Sequence, residues 1–567
     1  MLKRLHGRIF SVSHAWLVVS GLLAFLAVAP LVVLVGIAAE GSGALWPHLM
    51  AYVLPTAIVQ TGILLFGVGA FVLIVGVGAA WAVTAYDFTG RRIIEWALLL
   101  PLAVPTYVVA FAYLDILHPL GPVQSLLRDL LGIVNPGDLK LPDIRSMAGC
   151  ILLLGFVLYP YVYLSSRAMF LLQPASLMES ARTLGAGPIA IFWHVALPAA
   201  RPGIAVGGSL ALMEALNDIG AAQFLGVQTL TVSIYSTWVN RSSLSGAAQI
   251  ALLMLAIVLV LILLERWGRR HRDDAVGSDI AESMVPKPLT GFANYALMSF
   301  LVLPIFLGFV APALFLVVEA IARIDEAGLS QAIIAETGNT IFIAAAATII
   351  IVVTGFCMAY AVRLVPGKLT GLFLRAGALG YAIPGTVLAI SLLVPLAAFD
   401  NAVDALAQSW FGISTGLLLS GSGAALIYAY AARFMVIASG GIEAGLNKIS
   451  LSIDETAATL GAGRRAITGL LHLPLLRPAL ASAALLVFVD CIKELPATLL
   501  LRPFDFETLA THLYAEASRG TYEDGSIAAV LIIMAGLAPI ILLSRLSLPV
   551  KANDAEVPEL KLNSAAI

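Results

Sequence analysis

The sequence predicts an all-α, polytopic membrane protein of about twelve transmembrane helices, arranged as two parallel six-helix repeats. Three observations predict it. Of 567 residues, 60% are hydrophobic and only 12% charged. Soluble domains run near 25% charged, so the surplus apolar surface must face lipid. Apolar stretches of membrane length recur along the whole chain. A polar nonapeptide also occurs twice, ESARTLGAG at 179–187 and ETAATLGAG at 455–463, 276 residues apart.

The elements follow in order. The basic start MLKRLHGR precedes an apolar run from Ala15 to Ile37. A secretory signal has an apolar region of only about 7–15 residues, whereas crossing a hydrocarbon core takes about 20. The run therefore reads as a retained first span. Runs at 57–85, 93–117, 148–170, 203–225 and 246–265 complete a first half, 1–272. A polar, Pro-containing linker is expected at 273–293. Runs at 294–318, 338–362, 373–398, 415–438, 478–500 and 526–545 make a second half, 294–567. Such long continuous runs are helices rather than barrel strands. With the N-terminus inside, 24 of the 32 Lys and Arg fall on the cytoplasmic side or its helix ends, and seven outside. That bias turns both termini and both nonapeptides toward the cytoplasm.

The repeat extends beyond the nonapeptide. Glu179, Gly185, Pro198, Arg201 and Pro202 match Glu455, Gly461, Pro474, Arg477 and Pro478 at the same offset of 276. Pro105 pairs with Pro384, and Gly90 with Gly367. An even number of spans per half returns the chain to its starting side, so the halves are parallel and related about the membrane normal. Arg167 precedes Glu179 by 12 residues, but Arg433 precedes Glu455 by 22, which predicts a ten-residue insertion near GGIEAGLNKI.

Each nonapeptide reads as a short helix, a glycine turn and a second helix. Ser176 with Glu179, and Ser452 with Glu455, have capping-box spacing. Gly185 and Gly461 can end the first helix in a left-handed conformation. The second segment is expected to stop at Pro198 or Pro474. A capped surface loop would explain one copy. Two symmetry-related copies suit the docking of a pair of partner subunits.

Within the spans, LMEALNDIG places Glu214, Asn217 and Asp218 on one helical face, and FVDCIKELP places Asp490, Lys493 and Glu494 likewise. A charge at mid-membrane costs about 2.5–3.5 kcal/mol, so these groups should face a bundle interior or water. They are read either as structural hydrogen-bond and ion-pair partners or as the lining of a pathway. Four acids against one Lys favour a cation if the acids are ionised; mutual repulsion can instead leave one of them protonated. Tyr107 and Tyr113 read as interfacial aromatics. The segments 123–131 and 403–411 read as amphipathic outer pieces. His118, His194, His472 and His512 are scattered and assign no metal site; Cys150, Cys357 and Cys491 are apolar packing residues without metal or disulfide spacing. A net charge of −2 gives no sign of nucleic-acid binding.

The paired loops resemble the coupling loop of ABC importer permeases: Glu179-Ser180-Ala181, then Gly185, then Leu197-Pro198, and Glu455-Thr456-Ala457, then Gly461, then Leu473-Pro474. Ser180 and Thr456 depart from the family pattern but are small. The resemblance implies a fused permease of the type I importer fold, set in a bacterial inner membrane. It implies two copies of a cytoplasmic ABC ATPase docked at Glu179, Ala181, Gly185 and Pro198 and at Glu455, Ala457, Gly461 and Pro474. It also implies a periplasmic solute-binding protein. The chain has no G-x-x-x-x-G-K-[ST] phosphate loop. ATP and Mg would thus sit on the partner, with no cofactor on this chain and no enzymatic activity of its own. LPLAVPTYVVAFAYLD, LYPYVYLSSRAMFL, MEALNDIGAAQFLGVQTLTVSIYSTW and KELPATLLLRPFDFETLATHLY resemble ferric-iron permeases. Thiamine, polyamine and aminoethylphosphonate permeases share the scaffold. An ion-coupled secondary transporter would not need paired docking loops. A membrane enzyme would present a nucleophile–base set or a metal cluster.

Overall fold

A computed structural model describes residues 2–139, 142–269 and 286–546. The first half comprises α1 (Leu2–Ala39), α2 (Leu45–Ala85), β1 (Tyr86–Asp87), α3 (Arg91–Ala103), α4 (Thr106–Ile116), α5 (Pro122–Leu131), α6 (Met147–Leu171), α7 (Ala175–Thr183), α8 (Pro188–Asn217), α9 (Gly220–Phe224), α10 (Leu230–Val239) and α11 (Leu244–Arg269). The second comprises β2 (Lys287–Pro288), α12 (Phe292–Ala327), α13 (Gln331–Leu364), α14 (Lys368–Ala382), α15 (Gly385–Phe411), α16 (Ala424–Asn447), α17 (Leu451–Thr459), α18 (Ile467–Lys493), α19 (Pro496–Leu501), α20 (Leu509–Arg519) and α21 (Tyr522–Leu546).

Among the described residues, 11 helices are long and apolar enough to cross a membrane, or 12 with α3 and α4 counted as one span bent by 91°. Phe66, Ile74, Phe342 and Ile349 stand exposed on these rods, as lipid contact demands and water forbids. The halves repeat helix by helix. In the first, α2 packs along α6 and α6 along α8; in the second, α13 packs along α16 and α16 along α18. Gly207 sets the α6–α8 distance: a Cβ there would lie 2.1 Å from Ser165 Oγ and 2.6 Å from the Tyr161 carbonyl. The halves are tied at one edge by β1, which pairs in parallel with β2. The Asn294 side chain accepts from the Thr89 amide at 3.0 Å beside this pair. Most of the expected linker, 273–285, lies outside the described residues.

Several expectations are corrected. The spans expected at 203–225 and 478–500 end early, at Asn217 and Lys493. Asp218 and Glu494 follow in extended conformation, so neither continues the helical face of its neighbours. The run at 373–398 is two helices broken at Ile383–Pro384, because a residue before proline is pushed out of helical space. The segment 403–411 is the tail of α15 rather than a separate piece, whereas 123–131 falls within α5. No ten-residue insertion exists: α6 and α16 end at Leu171 and Asn447, and α7 and α17 begin at Ala175 and Leu451, every pair 276 apart. The mismatch arose from pairing Arg167 with Arg433. At constant offset Arg167 corresponds to Glu443, and Arg433 to Val157.

Pro198 and Pro474 do not stop their helices either. Each follows a π turn, Phe192–Ala196 or Ile467–His472. The Leu197 N–H reaches back five residues to the Phe192 carbonyl, and the widened turn relieves the clash a proline ring makes in a regular α-helix. Pro55 and Pro312 follow π turns in the same way.

Candidate functional site

Two regions collect the candidate residues. The first is the pair of loops. Ser176 and Ser452 are not N-caps: the helices start earlier, after Pro174 and Ser450, and no capping box forms. The Ser450 hydroxyl accepts from the Ser452 amide instead. The glycine turns are as expected, with φ of +87° at Gly185 and +83° at Gly461, where only glycine is free of steric cost. The Gly185 and Gly461 amides close on the Arg182 and Ala458 carbonyls, at 2.9 and 3.0 Å. Glu179 and Glu455 are exposed, as are both glycines; Ala181, Ala457, Pro198 and Pro474 are half-buried. At each tip stands a leucine that motif reading passed over, Leu184 at 87% and Leu460 at 83% exposure. They occupy equivalent positions, 276 residues apart.

The second region is a cavity of about 130 Å³ between the halves. Glu214, Asn217, Asp218, Asp490, Lys493 and Glu494 all line it. The chain reaches it because α8 and α18 both break there. The six residues do not play equal parts. Asp218 accepts from the Ala222 amide at 3.1 Å and from the Thr106 hydroxyl. Glu494 accepts from the Ala497 and Thr498 amides, each at 3.1 Å. Both therefore cap the short helix that follows, α9 or α19. Asn217 accepts from the Gly385 amide of the other half at 2.8 Å. Glu214 accepts from Tyr381 at 3.3 Å, again across the halves. Lys493 pairs with Asp490 at 3.2 Å.

Arg433 also lines the cavity and pairs with Glu494 at 2.7 Å. The expected balance of four acids to one cation is therefore four to two. Tyr107 is not an interfacial aromatic: it is buried, lines the cavity and donates to the Lys493 carbonyl at 3.3 Å. Tyr161 and Tyr381 join it in the lining. Tyr113 points elsewhere, donating to the Leu307 carbonyl at 2.7 Å. Arg167 pairs with Glu95, away from this site. Among the described residues, no group of three or more His, Cys, Asp or Glu is placed to hold a metal ion.

Residues 72–272 match the family model described as the binding-protein-dependent transport system inner membrane component. That segment, 72–272, is similar to this permease family. The permease is 24% identical over 473 residues to the Fe(3+)-transport system permease protein FbpB 2 of Haemophilus influenzae, covering 83% of this chain and 86% of that one. It is 27% identical to the molybdenum transport permease ModB of Escherichia coli, over 36% of this chain but 90% of ModB. It is 29% identical to a 2-aminoethylphosphonate transport permease, PhnU of Salmonella choleraesuis, over 37% of this chain and 73% of that one. The shorter relatives align with little more than a third of this chain; FbpB 2 aligns with most of it. That pattern fits a permease whose two halves are fused in one polypeptide. The names of these relatives are those of transport-system permease proteins.

Proposed function

We propose that the permease carries ferric iron across a bacterial inner membrane. Two copies of a separate ABC ATPase dock on the loops around Glu179 and Glu455, and a periplasmic iron-binding protein delivers the ion to the opposite face. Both termini and both loops face the cytoplasm, in keeping with the Lys and Arg distribution. ATP and Mg belong to the ATPase subunits, and this chain supplies no cofactor.

The observation that carries the substrate reading is the chemistry of the cavity. Glu214, Asp218, Asp490 and Glu494 stand against Arg433 and Lys493, and three phenols complete the polar wall. With all six charged groups ionised, the excess is two negative charges. Hard oxygen donors suit a hard cation, while molybdate, sulfate or a phosphonate would meet like charge. The similarity to FbpB 2 supports the same substrate. ATP binding would draw the ATPase subunits together, carry the loops with them and turn the cavity outward; hydrolysis would reset it. This is a shift between two packings of the same helices.

The test is uptake in iron-starved cells lacking the chromosomal copy, with and without the plasmid-borne permease. Radioiron accumulation that requires the permease, its ATPase and ATP is expected. Accumulation of molybdate or aminoethylphosphonate in place of iron would overturn the substrate while leaving the transporter class intact.

A further inference from the structure

The two docking loops are seated on the membrane helices by opposite chemistry. In the first half, Met178 on α7 is 2% exposed and belongs to the same apolar core as Phe170 and Ala196. Trp81 packs its ring against Phe170 and Phe192, with centroids 5.3 and 5.4 Å apart. At the equivalent positions of the second half stand Asp454 for Met178, His472 for Ala196, Thr468 for Phe192 and Tyr360 for Trp81.

These four form a relay. His472 Nε2 lies 2.7 Å from Asp454 Oδ1, and His472 Nδ1 lies 2.9 Å from the Tyr360 hydroxyl. The Tyr360 and Thr468 hydroxyls are 2.6 Å apart. The carboxylate can only accept, so Nε2 carries the proton and Nδ1 accepts from Tyr360. Arg363, at the end of α13, grips Asp454 Oδ2 through Nε and Nη2 at 3.1 and 2.9 Å. Its Nη1 donates to the Leu446 and Ile449 carbonyls at 2.8 and 3.1 Å. Asp454 is thus tied at once to α13, to the end of α16 and, through His472, to the π turn that opens α18. It directly precedes Glu455 on α17.

We infer that Asp454, His472, Tyr360 and Arg363 are positioning residues that transmit movement of the second docking loop to helices α13, α16 and α18. A buried histidine (1% exposed) with both ring nitrogens engaged cannot slide as an apolar contact can, because each displacement leaves a polar group without its partner. The first loop's seat has one such bond among the described residues, from Gln173 Nε2 to the Ala196 carbonyl at 2.9 Å, and is otherwise apolar, with no counterpart of the Asp454–His472–Tyr360 chain. The inference rests on the docking role proposed above.

The test uses the whole transporter, permease with its ATPase subunits, in proteoliposomes charged with iron-loaded binding protein. ATP hydrolysis and ferric ions moved are measured together. Asp454→Ala and His472→Ala are expected to retain bound ATPase and hydrolysis while ions moved per ATP fall about fivefold, the lower end of ordinary inter-site coupling. His472→Gln, which can still donate to Asp454 and accept from Tyr360, is expected to recover most of the ratio. An unchanged ratio in both alanine variants would overturn the relay. So would hydrolysis and transport falling in parallel with lost ATPase, because that is the mark of a damaged dock. Failure of the docking role itself would show separately, as ATPase still bound to a Glu179→Arg, Glu455→Arg double variant. If iron is not the substrate, stimulation of hydrolysis by the binding protein reads the same coupling.

Discussion

In their second helices the two halves make the same bond. Thr61 accepts from the Leu230 amide and Thr340 from the Leu509 amide, at 3.0 and 2.9 Å. Around that bond they differ. The second half adds His512 against Glu336 at 2.9 Å, where the first has Ser233 and Ala57. The same divergence recurs at the loops, Met178 in one and Asp454 in the other. Hydrogen bonds that satisfy backbone at a helix start are kept in both halves, because a bare amide inside a membrane protein has no water to turn to. Side chains that merely fill or fasten a seat have been exchanged between grease and charge.

The comparison can be broken at several points. The largest effect is expected from Gly461→Asp, which puts a side chain at φ +83° in the middle of the proposed dock, and from Glu179→Arg combined with Glu455→Arg. Both should leave the permease in the membrane and abolish uptake; wild-type uptake would remove the docking role. Next, Met178→Asp buries a carboxylate with none of the partners Asp454 enjoys. A loss of about 3 kcal/mol is expected, read as a lowered Tm in detergent. Asp454→Met should lower Tm as well, because it leaves His472 Nε2 and the Arg363 guanidinium without their acceptor. Third, Gly207→Ala forces α6 and α8 apart and should cost about 1–3 kcal/mol, whereas Ala483→Gly, its counterpart, should stay within about 1 kcal/mol. Fourth, Glu214→Gln and Asp490→Asn, matched across the halves, should each slow iron uptake while ATPase binding persists. Unchanged uptake at several iron concentrations would make both purely structural.

The smallest effect concerns pH. The bond to Glu336, its charge and the nearby Glu516 and Asp524 groups hold the His512 pKa above its ordinary value, against the opposing effect of burial. A raised pKa means the stabilisation is complete below the unfolded value of about 6.5 and fades as pH rises through the folded one. Tm should therefore fall slightly more steeply with rising pH in wild type than in His512→Ser, which copies the first half. Parallel curves would show that the pair contributes nothing.

Most of the helices were legible in the sequence because length and apolarity alone decide what crosses a bilayer. The repeat was legible because two matched copies in register are hard to produce by chance. The breaks at Asn217 and Lys493 were not, since apolar residues continue past both, and hydropathy cannot tell a helix that goes on from one that turns back. Pro198 misled because a π turn absorbs it. Arg433, half of the cavity's positive charge, was missed because its partner Glu494 lies 61 residues away in the chain. The relay at His472 escaped because Tyr360 lies 112 residues away in the chain, beyond any local spacing rule.

The π turns ahead of Pro198 and Pro474 carry a mechanical corollary. A rod resists bending through the bonds between its successive coils, and a proline has already removed one of those bonds. Flexing there, or at Pro202 and Pro478 one turn further on, forfeits less than flexing along the proline-free remainder of α8 or α18. Each rod therefore has a soft stretch at the base of its loop, at matching depth in both halves, so a tug on a loop is spent first as swivel there while the proline-free shaft stays straight.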